Sequence, residues 1–129
     1  MKGTAALILS LSLAGGVLVA QDGTVRPLLS KDLGGLPGKE VSMITVEYRP
    51  GASTPMHTHH AQAMVYVLEG SIVMQAKGSE PVTLTPGQTW YEGPDDVHVV
   101  SRNASKTAPA KYLVFMVKDK GAPILTSVK

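Results

Sequence analysis

From residue 40 onward, Gly and Pro interrupt this chain so often that no apolar repeat at helical spacing survives for three turns, and that punctuation narrows the available folds more than any other feature. Val41 to Tyr48 (V-S-M-I-T-V-E-Y) is an extended run ended by Arg49-Pro50-Gly51, and Ala63 to Leu68 is a largely apolar run ended by Glu69-Gly70. Ser71 to Ala76 follows, separated by Lys77-Gly78-Ser79-Glu80-Pro81 from Val82 to Thr85, a spacing suited to a hairpin. After Pro86-Gly87 come Gln88 to Glu92, Val97 to Arg102 and Lys111 to Lys118. Short strands separated by turn residues at close intervals predict an all-β sandwich or barrel.

A length of 129 residues is enough for one such domain and leaves no room for a second module. Met1-Lys2 followed by the uncharged apolar stretch Ala5 to Ala20 reads as a secretory signal, cut before Gln21-Asp22. The stretch is short for a transmembrane span, which needs about 20 apolar residues. The expected plan is a signal peptide over 1–20, an N-terminal arm over 21–39, a barrel over 40–120 and a C-terminal tail over 121–129. The mature protein is expected to be secreted or periplasmic, with no membrane attachment. Twelve basic residues against ten acidic ones form no stripe, and the one Trp, one Phe and four Tyr do not interleave with them, so no nucleic-acid partner is expected. No cysteine is present, so an exported domain must be held by burial, or by burial and a bound ion.

The histidines carry the chemical signal. Three of the four fall in Met56-His57-Thr58-His59-His60 and the fourth is His98. Residues two apart on a strand share a face, so His57 and His59 project together. A third imidazole some forty residues later reaches the same point only if the sheet rolls back on itself, as a jelly-roll barrel does. Imidazole is the commonest ligand of the later divalent metals, and the set reads as a metal site.

From Gly51 to Asn103 the chain resembles the cupin superfamily. The first cupin motif (Gly, five residues, His-x-His, three or four residues, Glu, six residues, Gly) is matched by Gly51, His57, His59 and Gly70, with Tyr66-Val67-Leu68-Glu69-Gly70 in typical cupin wording. Its glutamate is missing: with six residues between it and Gly70, the position falls on Ala63. The second motif is matched by Gly87, His98 and Asn103, with Gly93-Pro94-Asp95-Asp96 in place of the central Pro-x-Gly. The resemblance implies a double-stranded β-helix, the jelly-roll cupin barrel, with a divalent metal (Mn, Fe, Zn or Ni) at its mouth on His57, His59 and His98. It also implies a homodimer and a small-molecule ligand or substrate.

Three neutral imidazoles leave such an ion an open position. Gln62 is the expected additional ligand, with His60 and water as alternatives; strand alternation sets Gln62 and His60 on the opposite face unless the chain bends before Ala63. No carboxylate of the motif falls where alternation aims it into the mouth. Glu92, Asp95 and Asp96 are the nearest, and the two Asp read as turn residues. Met43, Met64, Met74, Trp90, Tyr91, Phe115 and Met116 are the candidates for an apolar lining. Two functions follow: a metal-dependent enzyme of oxygenase, lyase or isomerase type, or a non-catalytic module that binds metal or a small ligand.

Overall fold

The computed structural model describes residues 19–20 and 23–129, and among them there is no helix. The expected signal peptide lies outside the described residues except for Val19–Ala20, which pair with Thr24 and Gly23. In chain order the strands are β1 (Val19–Ala20), β2 (Gly23–Asp32), β3 (Lys39–Tyr48), β4 (His57–Thr58), β5 (Ala61–Glu69), β6 (Ile72–Ala76), β7 (Val82–Leu84), β8 (Thr89–Glu92), β9 (His98–Asn103), β10 (Ala110–Asp119) and β11 (Thr126–Ser127). They form two antiparallel sheets, one in the order β1-β2-β3-β10-β5-β8 and one in the order β11-β4-β9-β6-β7. This is the all-β jelly roll that the resemblance implied.

Alternation decides what fills the space between the sheets. Along β5, Ala61, Ala63, Val65 and Val67 are buried while Gln62, Met64, Tyr66 and Leu68 are exposed. Along β10, Ala110, Tyr112, Val114, Met116 and Lys118 point inward. Ile72, Met74 and Leu84 of the second sheet meet them in one apolar core. Each Val, Ile, Leu or Met side chain among them contributes about 1.5–3 kcal/mol when fully buried, and with no disulfide this burial is what holds the sheets together.

The residues expected as an arm instead build β2, an edge-side strand whose partners run from Gly23↔Tyr48 to Asp32↔Glu40. Its sequence hides this, because only Gly23 and Val25 of the strand are buried and the rest depends on backbone pairing. Pro27 is tolerated where the register shifts, between Pro27 and Leu29. The turn after β5 requires glycine: Gly70 has φ +69°, and a Cβ there would stand 2.3 Å from the Pro109 carbonyl oxygen. Beyond β10, residues 121–129 return across one end of the barrel, where β11 pairs with β4.

Candidate metal centre

Strand pairing brings the histidines together. His57 of β4 lies directly opposite His98 of β9, with ring centroids 4.8 Å apart. His59, just past β4, keeps the same side and meets His57 edge-on at 4.7 Å. His60 then takes φ +47°, turning the chain into β5, and its exposed ring contacts Thr58 Oγ1 at 3.3 Å. It stands outside the cluster.

A carboxylate completes the group. Glu92 ends β8 on the inward side, only 2% exposed, with Oε1 3.0 Å from His98 Nδ1 and Oε2 3.4 Å from His59 Nε2. The four residues each offer one ligand atom, all within 4.8 Å of one another. This corrects the expectation that no carboxylate faces the mouth. Glu92 is the direct cross-strand partner of Ala63, the position where the cupin motif carries its glutamate, so the acid enters from the neighbouring strand. Ala63 has no side chain beyond its methyl group to compete for that space.

The expected ligation by Gln62 is corrected as well. Strand β5 is unbroken from Ala61, so parity holds Gln62 on the exposed outer face, where its Oε1 accepts a hydrogen bond from the Tyr91 hydroxyl. The apolar lining also differs: of the residues expected there, Met74 alone lines the cavity. Met64 and Tyr91 stand exposed on the outer face, and Met116 is buried in the core. Asn103, which ends the second motif, is a buried brace, donating from Nδ2 to the carbonyls of Arg49 (3.1 Å) and Ala108 (2.8 Å) and accepting from the Ser105 N–H (2.8 Å).

Backbone carbonyls fix two of the rings. His57 Nδ1 donates to Pro55 O at 2.7 Å and His59 Nδ1 donates to Ile124 O at 2.7 Å. With both Nδ1 atoms donating to these carbonyls, the two rings turn their Nε2 atoms toward each other, 3.2 Å apart. Neither ring nitrogen of His98 nor Glu92 Oε2 has a well-directed hydrogen-bond partner, although all are buried. Burial drives the His57 pKa down to about 4, aided by its histidine neighbours and opposed by the Pro55 carbonyl and Glu92. Burial pushes the Glu92 carboxyl up, but the imidazoles of His98, His59 and His57 outweigh it and hold the group below its ordinary range. The cavity around them has about 30 Å³ of free space, walled by aliphatic side chains that include Val65 and Val114, by the hydroxyl-bearing Thr54, Ser101 and Tyr112, and by Ile124 and Leu125 of the C-terminal segment.

The family model described as "Cupin domain" matches residues 44–116, more than half of the chain. The chain belongs to the cupin family. Among curated proteins no match to this cupin is found. Among solved structures, it is similar to the DMSP lyase DddQ from Ruegeria pomeroyi DSS-3, at 20% identity and a TM-score of 0.68, over 91% of this chain and 56% of the lyase. It is also similar to oxalate oxidase in complex with the substrate analogue glycolate, at 24% identity and a TM-score of 0.65, over 93% of this chain and 63% of the oxidase. A cupin-2 domain from Rhodospirillum rubrum matches at 16% identity and a TM-score of 0.65, over 84% of this chain and 67% of that one. This cupin thus spans less than two thirds of the lyase and of the oxidase, and what it shares with all three at these identities is the fold.

Proposed function

We propose that His57, His59, Glu92 and His98 hold a divalent metal ion (Mn, Fe, Zn or Ni) and that this exported cupin is a metal-dependent enzyme of oxygenase, lyase or isomerase type acting on a small molecule. The observation that carries the reading is the convergence of His57, His59, Glu92 and His98, whose ligand atoms lie within 4.8 Å of one another, with the Nε2 atoms of His57 and His59 turned toward each other 3.2 Å apart. Two ring nitrogens turned toward each other at that distance need a cation or a shared proton between them, and burial disfavours a proton on His57 at neutral pH. A set of three imidazoles and one carboxylate suits the later divalent metals. The Nδ1–H bonds to Pro55 and Ile124 are the outer support that metal-bound histidines usually have.

When bound, such an ion polarises an oxygen of its ligand as a Lewis acid, and as Fe or Mn it also supports redox chemistry. The chain's own contribution is to orient the imidazoles, to lower the site's net charge through Glu92 and to exclude water with aliphatic walls, while the Thr54 and Ser101 hydroxyls at the cavity wall are tied to the Tyr48 hydroxyl. The lyase and oxidase among the structural neighbours support small-molecule chemistry on this scaffold. Export follows from the N-terminal sequence, and N-terminal sequencing of protein recovered outside the cytoplasm checks it by finding Gln21 first. Pairing into a homodimer uses the outer face of the larger sheet, where Met64, Tyr66 and Tyr91 are exposed. Sedimentation of a Met64→Lys, Tyr66→Glu variant tests that and is expected to show a monomer.

The deciding experiment is elemental analysis of the purified mature chain, followed by turnover assays on small carboxylic acids, phenols, diketones and cyanohydrins. A stoichiometric metal, and turnover lost in His98→Ala, are expected. The tightness of the cavity favours one other reading, a non-catalytic module in which the ion is structural. Firm metal binding with no turnover on any of the panel is the outcome that selects it.

A further inference from the structure

The segment after β10 does more than end the barrel. Gly121, at φ +75°, bends the chain out of the sheet. Lys118, inward-facing and 5% exposed, donates from Nζ to the Ala122 carbonyl at 2.7 Å and pairs with Glu40, while the Gly121 N–H contacts Glu40 Oε1 at 3.4 Å. Further along, Ile124 and Leu125 lie against the cavity, and the Ile124 carbonyl accepts the His59 Nδ1–H. The segment is then pinned to β4 by Thr126↔Thr58 and Ser127↔His57, and by the Val128 N–H donating to Met56 O at 3.1 Å. It is fastened at both ends and in contact with a cluster histidine in the middle.

We infer that residues 121–128 are a strap that completes the metal centre, the Ile124 carbonyl positioning His59 and the Ile124 and Leu125 side chains limiting ligands of the ion to molecules of a few heavy atoms. The inference rests on the metal reading above. A buried water needs roughly 10–15 Å³ of such space, so a free space of about 30 Å³ takes two or so water-sized groups. Anything the size of an aromatic acid needs Ile124 and Leu125 displaced. Displacing the segment that carries them also withdraws the hydrogen bond that orients the His59 ring, which couples admission of a large ligand to loss of hold on the ion.

Two variants, a deletion of residues 124–129 and the double substitution Ile124→Ala with Leu125→Ala, test this against the full chain. In the metal-free proteins, ¹⁵N NMR of the His59 ring is expected to show a protonated Nδ1 in the full chain and to lose that signature in the deletion. With Co(II) loaded, the deletion is expected to give up its metal to a chelator at least about tenfold faster, the scale on which loss of an outer partner weakens metal sites. The visible spectrum of the Co(II) full chain should respond to azide and not to benzoate, whereas that of the double variant should respond to both. An unchanged His59 signature together with unchanged cobalt loss overturns the positioning role, and benzoate binding to the full chain overturns the size limit. If Co(II) does not bind the full chain, the metal reading fails and the His59 signature alone decides the strap. If the deletion does not fold, the benzoate response of the double variant decides it.

Discussion

His57 is 4% exposed and gives up its proton far below the range of a free imidazole, so its titration is felt by the whole fold. An unfolded histidine holds a proton up to about pH 6.5, while the folded one releases it down to about pH 4. Between those values the unfolded chain binds the extra proton, so acid favours unfolding. The metal-free protein is expected to lose on the order of 3 kcal/mol as the pH falls from 6.5 to 4. Glu92, whose carboxyl is also held low, adds to the loss in the same direction below its unfolded value of 4.5. Thermal melts in chelator at pH 7 and pH 4.5 read this directly, and a His57→Ala variant should show a flatter pH slope; a melting temperature indifferent to pH across that range contradicts it. Glu92 itself is tested by Glu92→Ala, expected to weaken metal binding by tenfold or more. Because Ala63 faces it across the strand pair, adding Ala63→Glu to that variant should restore binding. Failure of the double variant to recover, with the fold intact, would show that the two positions are not equivalent.

At the level of strands, legibility followed burial. β3, β5 and β10 alternate along their length, and the sequence expectations for them fall within two residues of the observed ends. Strand β2 and the short piece β11 were not legible, because they bury few side chains and exist through backbone pairing to neighbours. The same limit hid Glu92: four residues, Thr-Trp-Tyr-Glu, are too few for parity to be read, and the inward direction of Glu92 is set by the register of β8 on β5. Gln62 shows the converse, since its outward direction follows from an unbroken β5 and needed only that continuity to be known. The turn after β5 offers a sharp stability test. Gly70→Ala forces a left-handed φ on a side chain and drives its Cβ into the Pro109 carbonyl, so a loss of about 2 kcal/mol or more is expected in urea unfolding. A loss under about 0.5 kcal/mol would mean the two turns move apart easily.

For the molecule as a whole, the histidine convergence was foreseeable because only a rolled sheet can set His57 opposite His98. The strap was not, since nothing in residues 121–129 announces a partner, and the contacts that matter there are made by carbonyls. Without disulfides, an ion held from both sheets, and linked to the strap through the His59–Ile124 hydrogen bond, should stabilise all three together. Metal at a thousand times its dissociation constant is worth about 4 kcal/mol of folding stability. Chelation is accordingly expected to lower the melting temperature by several degrees and to leave a single cooperative transition, as calorimetry would show. Alanine stands at residue 63, where the cupin motif has glutamate, and an acid stands beside it at residue 92 on the adjacent strand. A search keyed to spacing along the polymer finds three candidate ligands here, whereas one keyed to who sits beside whom on adjacent strands finds four.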